Sequence, residues 1–371
     1  MRLLKMFGLV VIVLVAVVCA IGAAVLTFWP PFGGSLQGDR AARARASPQF
    51  RGDHFENVIP KTPMSNAVLW DLLKRQYSGT EMRTPPPSCP PVVRLSQEDF
   101  KGRPAPGLRA IWFGHASVYL EIDGTRVMTD PVLSDYAPKR FHPPPLALEA
   151  LPKIDAVVIS HDHYDHLDVQ TVKRLAQSGT HFFVPLGIGA HLERWGVPGA
   201  QVTELDWWQS ADIAGLKLTS TPARHYSSRG LRDGNATLWS SWSIAGPVHR
   251  VYFSGDTGFG EHFREIGERL GPFDLSLLKI GSYGPGQGWL DIHMDPEEAV
   301  KAHVAVKARR MLPVHWATFN LAFHAWDEPI KRALAAGRER SIDLVTPRIG
   351  EVVAAGSAFT SVNWWETCGK N

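Results

Sequence analysis

Apolar and polar positions divide the chain into an unbroken apolar stretch, an irregular stretch and a long region of short alternating runs. From Phe7 to Trp29 almost every residue is apolar, with Arg2 and Lys5 in front. That length matches the roughly 20 residues that cross a bilayer as a helix, while a cleaved signal peptide has a core of about 7–15. An uncleaved transmembrane helix is therefore expected, with a cleaved and secreted form as the alternative. The basic flank places the rest of the chain on the outer, periplasmic side. Pro30 to Arg51, rich in Gly, Ala, Arg and Pro without apolar period, reads as a linker. Its Arg40, Arg43, Arg45 and Arg51 are expected in solvent, with anionic headgroups as the other partner. The organisation is then residues 1–30 as anchor or signal, 31–107 as linker and extension, and 108–371 as the main domain.

Within that domain the apolar runs are short, and strands alternate with helices. Leu108 to Phe113 and Ser117 to Ile122 read as strands, and Asp123-Gly124 turns the chain into Thr125 to Thr129. Further strands are expected at Ile154–Ile159, Phe182–Val184, Leu216–Thr221, Leu238–Ile244, Arg250–Ser254, Leu275–Ile280 and Arg310–Val314. Helices are expected at Val68–Leu73, Leu167–Gln177, Ala190–Trp195 and Phe263–Leu270. Asp295-Pro296-Glu297-Glu298 opens another, running to about Lys307, with a capping acid, Pro at the first position and acids at the positive end. Thr84 to Pro91 is too rich in Pro for either element and should run over the surface. Two halves of strands, each followed by helices, fit an α/β fold in the form of a four-layer αββα sandwich.

Composition adds little to this picture. The chain has 371 residues, 44% of them apolar, and a formal charge of +3, enough for one large domain plus extensions. No dense basic patch interleaves with aromatics, so nucleic acid is a poor partner. Of three cysteines, Cys19 lies in the apolar stretch; Cys89 and Cys368 are distant in sequence, and free thiols are expected.

The chemistry lies in Ser160-His161-Asp162-His163-Tyr164-Asp165-His166-Leu167-Asp168, directly after an apolar strand. Imidazoles and carboxylates suit Zn²⁺ and related divalent ions. His161 and His163 can reach one metal, while Asp165 and His166 turn toward a second. Two ions about 3.5–4 Å apart share a water and clamp a developing oxyanion. Three other strand ends supply the missing ligands: His225, Asp256 and His315. The full set is His161, His163 and His225 on one ion, Asp165, His166 and His315 on the other, and Asp256 between them. Asp130 and His115 are candidates to support these ligands from behind.

These residues resemble the metallo-β-lactamase superfamily. Further segments resemble N-acylphosphatidylethanolamine-hydrolysing phospholipase D and its bacterial relatives: Trp112-Phe113-Gly114-His115-Ala116, Thr129-Asp130-Pro131, Glu204 to Trp208, Gly271 to Leu275, Ile280 to Tyr283 and His293 to Val300. The likeness covers about Arg109 to Glu351. It implies the αββα sandwich, two zinc ions per chain, and hydrolysis of an N-acylated phosphatidylethanolamine to phosphatidic acid and N-acylethanolamine. A phospholipid and a bilayer would be the partners. It also implies that His293 faces the site and donates to substrate, with Asp165 and Asp256 catalytic, and it puts Tyr283 beside a substrate loop. One stretch departs from the family: Gly284 to Trp289 stands where the mammalian enzyme has a Pro-Arg pair, which leaves substrate identity open. The rival readings are attack by the same metals on a lactone, β-lactam or other ester-type carbonyl, and a non-catalytic, membrane-tethered metal-binding protein. A structural zinc site is normally closed by four ligands, often cysteines, and seven His/Asp candidates without cysteine argue against it. Trp207-Trp208 reads as core, and Trp364-Trp365 is open to either core or lipid contact.

Overall fold

In the computed structural model, which describes residues 2–134, 138–354, 356 and 358–368, two seven-stranded sheets lie face to face. The first runs in the order Val352–Ala354, Leu108–Gly114, Ser117–Ile122, Thr125–Thr129, Ala156–Val158, His181–Pro185, Val202–Leu205. The second runs Asp343–Leu344, Ala308–Val314, Phe273–Lys279, Arg250–Phe253, Ser241–Ala245, Leu216–Thr221, Ser210–Ile213. Alternation along the strands decides which face meets which layer. Ala110, Trp112, Val118 and Leu120 of the first sheet join Leu218, Trp242, Ile244 and Leu277 of the second in one core. Ile111, Phe113, Tyr119 and Met128 point the other way, against Val172 and Leu175 of the helix Val169–Gln177 and Leu192 of Gly189–Arg194. Phe263, Ile266, Ala299, Val300, Ile330 and Ala333 bring the helices His262–Arg269, Pro296–Ala305 and Glu328–Glu339 onto the second sheet. The result is the expected α–β–β–α layering.

Pairing is parallel from Thr125–Thr129 through Val202–Leu205 in the first sheet, and from Arg250–Phe253 through Asp343–Leu344 in the second. Parallel strands carry their C-terminal ends to one side, so the loops after Val158, Phe253 and Val314 converge there. The strands Ser117–Ile122, Thr125–Thr129 and Leu216–Thr221 fall where their periodicity puts them. The run from Leu238 pairs only from Ser241, because Leu238 N and Ser240 N bond instead to Leu186 O and Ser160 O.

Three expectations need correction. The N-terminus forms a helix, Arg2–Phe28, but many of its side chains lie outside the described residues, and unbroken description runs only from residue 10 to residue 20. Among the described residues no helix is long and apolar enough to cross a membrane, so the transmembrane anchor is not supported. The supposed linker holds a helix, Gly38–Ala46, with Ala41 and Ala44 buried. Two of the arginines serve the fold: Arg40 pairs with Glu193 at 2.7 Å, and Arg40 and Arg43 both reach the buried Glu204, while Arg45 and Arg51 are exposed as expected. A compositional reading missed it because alanine and arginine suit a helix while giving almost no hydrophobic signal. Finally, Cys89 and Cys368 are disulfide-bonded, with Cα atoms 5.8 Å apart. The bond ties the Pro-rich loop to the turn Trp364–Thr367. Trp364 and Trp365 are both buried there, the first stacked on Trp316 and the second edge-on to it, which decides between core and lipid contact. Trp207 is likewise buried, its indole donating to Trp239 O at 2.7 Å.

Candidate metal centre

The loop after Ala156–Val158 is pinned from behind before it presents any ligand. Asp130 Oδ1 accepts from Ser160 N at 2.7 Å, and Oδ2 from His166 Nδ1 at 2.6 Å. Asp168 closes the loop by capping the next helix, accepting from Gln170 N and Thr171 N. Between these fixed ends His161, His163, Asp165 and His166 face inward. His225 follows Leu216–Thr221, Asp256 follows Arg250–Phe253, and His315 follows Ala308–Val314. His115, Asp130, Ser282, His315 and Ala317 all have positive φ. Side chains other than glycine rarely adopt it, and such strain collects at functional sites. Gly255 also has positive φ, and a Cβ there would run into Ser160.

Two clusters result. His161 Nε2 lies 2.9 Å from His163 Nδ1, and His225 Nε2 lies 3.3 Å from that same atom. His166 Nε2 and His315 Nε2 are 3.1 Å apart, with Asp165 Oδ2 at 3.4 and 3.6 Å from them. Ligands about 2.0–2.1 Å from a tetrahedral zinc stand roughly 3.3 Å from one another, so both clusters have the spacing of atoms sharing an ion. Asp256 lies between them. Its Oδ1 is 3.0 Å from His315 Nε2, and its Oδ2 is 3.5 Å from His166 Nε2 and 3.9 Å from His225 Nε2.

The chemistry of the donors fits a divalent ion. His225 Nδ1 donates to Ile292 O at 3.0 Å, which leaves Nε2 as a lone pair aimed inward. Burial holds His161, His163 and His225 below the usual imidazole range, in the neutral ligand form. Burial opposes charge on Asp165 and Asp256 too, but the surrounding imidazoles hold both carboxyls well below their ordinary range. His166 is the exception: burial is outweighed by Asp256, Asp165 and Asp130, which hold it high. Asp256 Oδ1 and His293 Nδ1 are buried without a hydrogen-bond partner among the described residues. Such orphaned atoms are costly unless something binds them.

His293 stands on the open edge of this centre. Its Nδ1 is 3.5 Å from Asp256 Oδ2, and its side chain is 13% exposed, like Asp165 at 15%, against 0–1% for His166, His225 and His315. Of the two supporting candidates, Asp130 holds His166, and His115 Nε2 holds Asp165 Oδ2 at 2.9 Å. The Tyr283 hydroxyl donates to Glu328 at 2.6 Å and its ring stacks on His324. Two contributors were missed. Tyr226 stacks edge-on to His163 at 4.4 Å and borders a cleft of about 680 Å³ lined also by Asn57, Lys61, Ser228 and Asn235. Asn57 clamps the backbone of His225 from both sides, accepting from its N–H at 3.0 Å and donating to its carbonyl at 2.8 Å. Tyr226 adjoins a ligand and could have been found; Asn57, in an extension without motif, gave no signal.

With the geometry in hand, comparison with known proteins is informative. Residues 125–316 match the Beta-lactamase superfamily domain. An uncharacterised protein of Mycobacterium tuberculosis is 45% identical over 349 residues, which is 88% of this chain and 91% of that protein. The N-acyl-phosphatidylethanolamine-hydrolyzing phospholipase D 1 of Caenorhabditis elegans is 43% identical over 249 residues, covering 62% of this chain and 69% of the relative. Among solved structures, a metallo hydrolase of the archaeon Ignicoccus hospitalis has the same fold, with a TM-score of 0.53 and 24% identity over 68% of this chain and 99% of its own.

Proposed function

This chain belongs to the β-lactamase superfamily of metal-dependent hydrolases, and on that premise we propose that it holds two zinc ions and cleaves the phosphodiester of an N-acylphosphatidylethanolamine-type lipid. The products are phosphatidic acid and an N-acylethanolamine. The observation that carries the reading is the position of Asp256, whose two oxygens face imidazoles of both clusters. In it, His161, His163 and His225 hold one ion, Asp165, His166 and His315 hold the other, and Asp256 joins them. When bound, such a pair supplies a nucleophile at neutral pH and neutralises charge gathering at phosphorus.

The chain's own groups do the rest. Asp130 and the Ile292 carbonyl set the tautomers of His166 and His225 and hold their rings in place. His115 aims Asp165. His293, on the exposed side, donates a hydrogen bond to a phosphate oxygen or to the departing alcohol. The choice of phosphorus over carbon is supported by the C. elegans relative, which is a phospholipase D by name. The Cys89–Cys368 bond supports a location outside the reducing cytoplasm.

The test is turnover of a panel by the purified full chain, with and without chelator: N-acylphosphatidylethanolamine, plain phosphatidylethanolamine, a lactone and a β-lactam. Chelator-sensitive release of N-acylethanolamine from the first alone is expected. Turnover of the lactone or β-lactam with the lipids untouched would overturn the phosphodiesterase reading and leave the hydrolase.

A further inference from the structure

The segment from Val58 to Met82 borders the metal centre and carries its apolar side chains on the outside. Asn57 holds His225, Thr62 N donates to Asp291 at 2.6 Å, and Met82 O accepts from Trp326 N at 2.9 Å. Between them runs the helix Asn66–Ser78, capped by Ser65. A surface helix normally turns its apolar stripe inward. This one carries apolar residues outside as well as inside. Val68, Asp71, Leu72 and Arg75 form the inner, half-buried face, where Arg75 pairs with Asp71 at 2.8 Å and Glu81 at 3.0 Å. At about 100° per residue, Leu69, Trp70, Leu73 and Tyr77 share an outer arc of roughly 100°. They are 44%, 65%, 49% and 87% exposed, and Val58, Ile59, Met64 and Met82 of the same segment are exposed too.

We propose that this helix is an interfacial docking surface that sets the protein on an anionic bilayer beside the mouth of the metal centre. The choice of occupant rests on the lipid reading of the site and on charge. From Val58 to Arg83 the chain has four cations, Lys61, Lys74, Arg75 and Arg83, against two acids, Asp71 and Glu81. An apolar arc with indole and phenol at its edge and basic residues around it is the composition of a helix lying in a headgroup layer, and anionic lipid adds attraction for each basic residue. The attachment to Asn57 and Thr62 puts that layer next to the cleft lined by Lys61 and Tyr226. A lipid headgroup then needs only a short displacement out of the bilayer to reach the ligands.

A single thiol label tests this independently of catalysis. In full-length protein carrying Cys19→Ser, Leu73→Cys is labelled with an environment-sensitive fluorophore and mixed with vesicles of phosphatidylcholine and phosphatidylglycerol. Emission should move to the blue, and protection from a water-soluble quencher should rise on the order of tenfold, as for a side chain moved from water into apolar surroundings. Adding Trp70→Glu should return the emission to its value in buffer. The same label at Val248→Cys, 74% exposed in the turn at the far end of the strand leading to Asp256, should stay quenchable. A label at position 73 that remains quenchable on vesicle-bound protein overturns the proposal. So does failure to bind the vesicles, or a shift that needs only higher protein concentration, which would mark the face as an interface between two copies. Loss of lipid turnover with the shift intact would instead count against the hydrolytic reading.

Discussion

Asp256 faces imidazoles from both clusters, so removing its charge should weaken both at once. Asp256→Asn is expected to cut turnover by more than the roughly 10–100-fold that losing an outer partner costs, with less than the full metal content after desalting. His293 differs in kind, for its side chain is 13% exposed while its buried Nδ1 faces Asp256 Oδ2 at 3.5 Å. His293→Ala should cost on the order of 10²–10⁴-fold in turnover, the range for a group that moves a proton, while metal analysis still shows the wild-type content. Loss of metal in His293→Ala would make it a ligand. All seven proposed ligands come together in the structure because the four segments that carry them each follow a strand that the sequence displays. Asn57 lacks that mark: what gives it its place is tertiary packing against His225, which no local pattern encodes.

At the scale of elements, the strand ends fix the site by backbone contact. The His315 carbonyl lies against Gly281, and a Cβ at that glycine would run into it. Gly281→Ala should therefore push the end of Ala308–Val314 away, costing about 1–3 kcal/mol in denaturant unfolding as overpacking does, together with metal content. Buried imidazoles outside the metal centre give the fold its acid limit. Burial lowers His142 and His262 to about 3 and His303 to about 4, against 6.5 in the unfolded chain. Below about 6.5 the unfolded chain takes up protons that the folded one refuses, so their contribution is full above that pH and shrinks as pH falls toward 4. The thermal midpoint should fall between about pH 6.5 and 4, and a flat profile there would contradict it. Strands with strict alternation were legible almost to the residue. The helix Gly38–Ala46 was not, since its stability comes from Arg40 and Arg43 reaching Glu204 some 160 residues away.

At the scale of the whole molecule, the disulfide joins parts of the chain separated by 279 residues. It fastens the turn whose Trp364 stacks on Trp316, next to His315. Reduction should lower unfolding stability by roughly 2–4 kcal/mol with the metal content retained, because no proposed ligand lies in that turn; a midpoint unmoved by reductant would contradict it. The pairing was invisible in sequence because two isolated cysteines carry no spacing rule. The αββα layering was legible, being one of the few arrangements in which two sets of strands and amphipathic helices bury their apolar faces.

The central claim is a paired metal site. Its most direct test is the metal content of folded full-length protein, purified without chelator and measured by elemental analysis against protein concentration. Two equivalents of divalent metal per chain are expected, with zinc as the metal, falling together in Asp256→Asn. One tightly bound ion, or none, in a folded sample would contradict it.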